Sequence, residues 1–301
     1  MSKRDDFGIH APKKINCANL LGVFEDGTSE WHEARADGIG GSEVSAILGL
    51  NEYESPYSRW AKKVGEVPIL PVENWSVRFG KAFEEPILRL WSEDNPDYTV
   101  YRTGTYADGD DPFMRANPDA LALHEDGHWI VIEIKTSRNS WIETPAGYEA
   151  QVTHYMDILG IEKAVIVAVA GWNYYEDWID YDEFLARAQR QAIGEFWQYV
   201  VNNERPRFDG SDVTYETVRR RHPKIDDDLS VEIEGVHTLA LLAERFEYAK
   251  SELNKAKSEV LEVMGNAKYA YFEHEGKKHI VATRQARGEG VPFLVIKKGR
   301  K

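Results

Sequence analysis

Asp119, Glu133 and Lys135 are the residues whose types and spacing point most directly to chemistry. They lie in Asn117-Pro118-Asp119-Ala120-Leu121 and, after a short turn, in Trp129-Ile130-Val131-Ile132-Glu133-Ile134-Lys135. The apolar run 129–134 has a strand's composition, and Asp126-Gly127 before it suits a hairpin turn. In a strand, side chains two apart share a face. Glu133 and Lys135 therefore point together, away from Ile130, Ile132 and Ile134. Asp119, near the start of the partner strand, completes a cluster of two carboxylates and one ammonium. Carboxylate oxygens suit Mg²⁺ or Mn²⁺. A lysine beside such an ion can orient a water or stabilise a pentavalent phosphate. The competing reading is an exposed ion pair on a surface hairpin, since Glu and Lys are common on surfaces.

The elements that must position this cluster are legible as a coarse pattern. Residues 1–27 read as a polar lead-in. Ser29 suits an N-cap for a helix over 30–36, Gly40-Gly41-Ser42 opens another over 43–48, and Pro56 begins a third. Residues 68–71 read as a loop. Residues 77–93 have helical period, with Phe83, Ile87, Leu88, Leu90 and Trp91 as the apolar face. Strands are expected at 98–106, 113–124 and 129–136. A helix over 147–159 ends at Gly160, a strand spans 164–170, and a helix over 182–202 closes the first domain. Arg205 to Gly210 marks a boundary. Beyond it, Leu242, Phe246, Ala249, Leu253, Ala256, Val260 and Val263 alternate steps of four and three, a heptad seam. A hairpin over 269–283 turning at Glu275-Gly276, and a basic tail, follow. The expected division is thus 1–27 lead-in, 28–208 main domain, and 209–301 helical arm with hairpin.

The pair Pro118-Asp119 and Glu133-Ile134-Lys135 resembles the PD-(D/E)xK nuclease superfamily. Its flanks are Trp31-His32-Glu33-Ala34-Arg35, Gly41-Ser42-Glu43, Gly80-Lys81-Ala82-Phe83-Glu84 and Gln151-Val152-Thr153-His154-Tyr155. Together, in that order over roughly 28–205, they resemble the YqaJ-type viral recombinase family, which includes the lambda-type phage exonuclease. Each match is weak alone; the six in register are specific. The resemblance implies an α/β restriction-endonuclease-like core, a central mixed sheet flanked by helices, with the helical and hairpin tail as an appendage. It implies catalytic roles for Asp119, Glu133, Lys135, Glu84 and Gln151. Mg²⁺ or Mn²⁺ would be held by Asp119, Glu133, Glu84 and the Ile134 carbonyl. A 5′-phosphate and its DNA would meet Arg35, Ser42, Trp31 and Tyr155.

Each of these residues also has a plainer reading. Glu84 and Glu85 compete for one role, and both can simply favour a helix start. Arg35 can form a surface salt bridge, Ser42 can be an N-cap, and Trp31 can anchor its helix. Tyr155 can be core and Gln151 surface. Asp111, within Asp108, Asp110 and Asp111, can be a solvated turn residue. Arg138 follows Lys135 sooner than the corresponding basic residue of lambda-type enzymes.

The activity implied is 5′→3′ resection of double-stranded DNA ends, with a single-strand annealing recombinase as partner and a ring-shaped trimer as assembly. The rivals are an endonuclease of the same superfamily and a non-catalytic scaffold acting through the arm. Composition bounds these readings. A chain of 301 residues, 42% hydrophobic with nine tryptophans, can bury a large core and an appendage. No apolar run approaches the ~20 residues of a membrane helix, and the N-terminus lacks a signal peptide's apolar region. One cysteine, Cys17, permits no internal disulfide, so a reducing cytosol is the expected compartment, and the family resemblance implies that of a bacterium hosting the encoding phage or prophage. A net charge of −14 argues against non-specific coating of nucleic acid, while leaving room for a locally basic channel.

Overall fold

A computed structural model describes residues 12–24, 27–69 and 74–297. The extreme N-terminus, half of the loop expected at 68–71 and the last residues of the basic tail lie outside the described residues. The chain divides into two compact units, Met1–Ile225 and Asp226–Lys301. The first opens with β1 (Lys14–Ile15), β2 (Ala18–Gly22), α1 (Ser29–Ala36), β3 (Ile39–Gly40), α2 (Gly41–Ile47), α3 (Pro56–Lys63) and α4 (Trp75–Asp94). There follow β4 (Tyr98–Arg102), β5 (Thr105–Ala107), β6 (Met114–Ala116), β7 (Ala120–His124) and β8 (Trp129–Ser137). The unit ends with α5 (Ala146–Leu159), β9 (Lys163–Ala170), β10 (Asn173–Asp180), α6 (Glu183–Val201) and α7 (Asp212–Arg221).

The expected α/β architecture with a mixed central sheet is what forms. That sheet runs β10-β9-β8-β7-β4, with β8 and β9 parallel and the other neighbours antiparallel. The alternation read along β8 decides its two faces. Ile130, Ile132 and Ile134 bury with Ile87, Leu88 and Trp91 of α4. Val131 buries instead with Val152, Tyr155, Met156 and Leu159 of α5. A helix thus covers each face, and Glu133 and Lys135 lie on the α5 side.

Two expected strands are each cut in two. The 98–106 run breaks into β4 and β5, and 113–124 into β6 and β7. The cuts fall at Gly104, where a Cβ would strike the backbone of Gly22, and at Pro118, which has no N–H for a ladder. The halves join different sheets: β4 and β7 the central one, β5 and β6 a smaller sheet of order β1-β2-β5-β6-β3.

The lead-in is not loose where it is described, because β1 and β2 pair there. Asn16, at φ 50°, donates its amide to the carbonyls of Leu159 (2.6 Å) and Gly160 (2.8 Å), so the turn between these strands caps α5. Gly160 ends α5 in the left-handed conformation, as expected (φ 60°). The cap of α1 is Thr28 rather than Ser29, its hydroxyl accepting the Trp31 N–H at 3.3 Å. On α4 the buried stripe is narrower than expected, since Phe83 and Leu90 are exposed. Helix α7, which sequence reading did not foresee and whose residues were expected in the arm, belongs to the first unit. Thr214 meets Ser55, the N-cap of α3, at 2.6 Å and Arg221 donates to the Tyr57 hydroxyl at 2.6 Å.

The second unit comprises α8 (Val236–Met264), β11 (Tyr269–His274), β12 (Lys277–Gln285) and β13 (Phe293–Ile296). The expected hairpin turns at Glu275-Gly276, both at positive φ (50° and 73°), and β13 adds a third strand that sequence reading missed. The heptad residues Leu242, Phe246 and Leu253 are exposed on α8.

His154 of α5 is fully enclosed and ties that helix to the small sheet. Its Nε2–H lies 3.1 Å from the Arg115 carbonyl and 3.3 Å from that of Ile39. Its Nδ1 is buried with no partner among the described residues. Burial pushes the imidazole down to about 4, so it stays neutral in the fold while the unfolded chain takes up a proton below its ordinary 6.5. Stability should therefore be intact above that ordinary value and fall as pH drops toward the folded one, by about 2 kcal/mol at pH 5. His154→Asn should be less stable at pH 7 yet lose less between pH 7 and 5. Urea unfolding at both pH values checks this; equal losses in the two proteins would contradict it.

Candidate active site

The site is built where β7 and β8 leave their hairpin. Asp119, just before β7, turns its Oδ2 to accept the Ile134 N–H at 2.6 Å. This bond locks the acid against β8 beside Glu133. Glu133 is buried, and its Oε1 accepts from Lys135 Nζ (2.7 Å) and from the Gln151 amide (2.6 Å). Lys135 Nζ also donates to Gln151 Oε1 at 3.1 Å and sits 4.7 Å over the Tyr148 ring. Gln151 spans the cluster, because its amide also reaches the Tyr155 hydroxyl at 3.0 Å.

Electrostatics mark the site as rich in negative charge. Burial, then Glu133, then Glu84, push the Asp119 carboxyl well above its usual range. Burial alone would lower the Lys135 ammonium, but Glu133 and Asp119 outweigh it and hold it above its ordinary value. Burial and the charge of Glu133 likewise raise the Tyr155 hydroxyl. Glu133 Oε2 is enclosed without a hydrogen-bond partner among the described residues. An orphaned carboxylate oxygen beside a second carboxyl that resists ionising is a donor set a hard divalent cation would satisfy.

Helix α4 supplies the third acid. Gly80 lets the helix approach β8, since a Cβ there would lie 3.2 Å from Thr136 Oγ1. Half-buried Glu84, one turn on, is close enough for its charge to act on Asp119. Glu85 turns elsewhere, to Arg102 at 2.8 Å and Arg89 at 3.5 Å.

A second group of residues adjoins the first through Tyr155. Gly41, at the start of α2, packs against the Tyr155 ring so closely that any Cβ would run into it. The next residue, Ser42, is exposed and accepts from Arg35 Nη2 at 3.0 Å. The Arg35 guanidinium rests 4.6 Å over the Trp31 ring. Glu43, buried behind them, accepts the Gly40 N–H at 2.8 Å and pairs with Lys63 (3.0 Å) and Arg59 (3.2 Å). Burial would raise the Glu43 carboxyl, but these cations hold it below its usual range.

The structure therefore gathers Asp119, Glu133, Lys135, Gln151, Tyr155 and the field of Glu84, and places Arg35, Ser42 and Trp31 alongside. It does not bring in Asp111. That acid bonds Arg190 (2.9 Å), which also holds Asp108 (2.7 Å) and Asp157 (2.8 Å) in a cluster. Arg138 lies exposed beyond β8. Sequence reasoning missed Tyr148, whose position three residues before Gln151 on α5 was the available signal. It also missed Lys63 and Arg59, for which local sequence held none. One further group, His124, Asp126 and His128, has ligand atoms all within 4.8 Å, at the opposite end of the β7–β8 hairpin.

Comparison with known proteins agrees with the motif reading. Residues 30–162 match the model of the YqaJ-like viral recombinase domain. The uncharacterized protein YqaJ of Bacillus subtilis (strain 168) is 26% identical over 259 residues, covering 81% of this chain and 80% of that one. In fold, the chain is similar to an alkaline exonuclease, LHK-Exo, from Laribacter hongkongensis, at 18% identity and a TM-score of 0.50. That match covers 59% of this chain and 94% of the other. LHK-Exo in complex with dAMP matches 65% of this chain and 98% of its own, again with a TM-score of 0.50. Residues 30–162 are thus similar to the YqaJ-like viral recombinase domain, and the chain shares its fold with the alkaline exonuclease LHK-Exo.

Because Asp119 resists ionising where it stands, Asp119→Asn should stabilise the metal-free chain. Its side-chain oxygen still accepts the Ile134 N–H. We expect a gain on the order of 1 kcal/mol, or about 2–4 °C in Tm with EDTA present. Added Mg²⁺ should raise the Tm of the parent and leave the variant nearly unmoved. A variant less stable than the parent in EDTA would show that the acids do not repel.

Proposed function

We propose that the chain is a metal-dependent deoxyribonuclease that digests double-stranded DNA from its ends, 5′→3′, for phage-type recombination. The observation that carries this reading is the hydrogen-bonded Asp119–Glu133–Lys135 cluster, linked through Gln151 and Tyr155 to the Arg35–Ser42 pair. The fold likeness to an alkaline exonuclease supports it. Two Mg²⁺ or Mn²⁺ ions bound by Asp119, Glu133, Glu84 and the Ile134 carbonyl would supply Lewis acidity to the scissile phosphate and a nucleophilic water.

The chain's own groups do the rest. Lys135 keeps its proton and carries positive charge to the point where a phosphate gathers negative charge. Gln151 fixes the Lys135 ammonium and the Glu133 carboxylate in one geometry, so neither must reorganise during reaction. Tyr155, kept protonated by burial, sets the spacing between this cluster and α2. Arg35, steadied by Trp31 and Ser42, offers its remaining N–H groups in the fork geometry a terminal phosphate prefers.

Asp119→Ala and Glu133→Ala should each abolish hydrolysis and leave the fold intact. Lys135→Ala should lose rate while still binding metal. A digest of linear duplex in Mg²⁺ against EDTA checks this, and near-parental cutting by Asp119→Ala would refute the cluster's role.

Charge-assisted bonds contribute about 1.5–3 kcal/mol each, so Arg35→Ala should weaken engagement of 5′-phosphorylated ends by roughly ten- to a hundredfold. On 5′-hydroxyl ends the variant and the parent should cut equally poorly. Matched duplexes differing only in the 5′-phosphate test this. Equal parental rates on both, or ready cutting of closed circles, would favour an endonuclease.

A net charge of −14 requires the duplex to be held somewhere locally basic, and a ring-shaped trimer enclosing DNA would provide that. A single-strand annealing recombinase is the partner suited to the strand left behind. The lone Cys17 supports a reducing cytosol as the compartment, and the match to a viral recombinase domain supports a bacterium hosting the encoding phage or prophage.

A further inference from the structure

The C-terminal sheet concentrates positive charge on an acidic chain. The described residues 265–297 hold six Lys and Arg against three Asp and Glu, whereas the whole chain holds 37 against 51. The sheet also sets three aromatic rings on one face. Alternation along β11 puts Tyr269, Tyr271 and Glu273 on a common side. Tyr269 pairs with Thr283, and Gln285, two residues on, pairs with Phe293, which brings Phe293 of β13 to that side.

Each ring carries a cation. Lys278, opposite Glu273, holds its Nζ 4.5 Å over Tyr271. Lys268 Nζ lies 5.3 Å over Tyr269, and the Arg287 guanidinium 5.5 Å over Phe293. Tyr269, Tyr271 and Phe293 are 48%, 49% and 39% exposed. The unit's own packing uses the other face, where Ala270 pairs with buried Ala282 and Arg284 bonds the Gly265 carbonyl at the end of α8.

Rings alternating with cations on an open sheet match the two chemistries of an unpaired strand: base faces to stack, and phosphates at intervals to neutralise. A duplex buries its base faces and would leave the rings unused. An acidic protein would meet the cations but would not need the ring faces. We propose that this sheet face binds single-stranded DNA. Where such a strand comes from, the 3′-ended product of resection, rests on the nuclease reading; the binding itself does not.

The test uses the full chain with EDTA present, so hydrolysis plays no part. Fluorescence anisotropy is read with a labelled 5′-hydroxyl oligothymidylate, a blunt duplex and an RNA strand of equal length. Tighter binding of the DNA strand than of either other probe is expected. Tyr269→Ala with Tyr271→Ala should weaken that binding roughly tenfold or more. Lys278→Gln should flatten the salt dependence by about 0.7 in log–log slope. Cleavage of a short duplex in Mg²⁺ should be unchanged in these variants. If the tyrosine pair proves needed for folding, judged by circular dichroism, Lys278→Gln with Arg287→Gln carries the same test from the surface. Parental affinity in the variants, or equal affinity for duplex or RNA, overturns the proposal. So does a change of oligomeric state by light scattering with DNA affinity intact, which would make the face a protein interface. Loss of nuclease activity alone leaves the proposal standing, because binding is read without it.

Discussion

Two carboxylates, one buried and one half-buried, must be held side by side, and most of the first unit can be read as the means of doing so. Asp119 and Glu133 repel each other across the end of a hairpin, and burial removes the solvent that would otherwise screen them. The fold answers with directed bonds. A backbone N–H from Ile134 steadies one acid, and an ammonium and an amide steady the other. One oxygen of Glu133 is left unanswered. A structure selected only for stability would have replaced these groups with apolar ones, as it did along the opposite side of β8.

Helix α5 transmits this arrangement outward. It presents Tyr148, Gln151 and Tyr155 to the acids on one side and His154 to the small sheet on another. Its end is held by the side chain of Asn16, far away in sequence. The contact of Tyr155 with Gly41 then fixes where α2 begins, and with it Ser42 and its neighbour Arg35. Buried Glu43 plays a comparable part in the second group. Its charge is balanced by Lys63 and Arg59, so the turn before α2 keeps its shape.

What was legible in the sequence was local. Alternation along 129–135 assigned both faces of β8, Asp126-Gly127 located the hairpin, and Gly160 located the end of α5. Glu84 and Glu85, adjacent in sequence, are told apart only in the fold, where Glu85 turns to Arg102 and Arg89. What was not legible depends on partners distant along the chain. Residues 14–22 look like a polar lead-in until β5 and the end of α5 are there to receive them. Asp111 resembles a metal-linked acid until Arg190, on α6, claims it. Helix α7 follows the boundary read at 205–210, yet Thr214 and Arg221 find their partners just before and after α3, at Ser55 and Glu66.

The order of the central sheet has a further consequence, for solubility. Its outer strands, β4 and β10, have no neighbour on one side among the described strands, and an unpaired edge is a template onto which another chain can add. β10 is eight residues long and would be the more dangerous of the two. It carries Glu176, Asp177 and Asp180, with Tyr174 and Trp178 both engaged by Glu176. A second molecule bringing the same strand to this edge would set like charges against like. The acidity that looks out of place in a protein proposed to handle DNA thus guards the edge of its central sheet against aggregation.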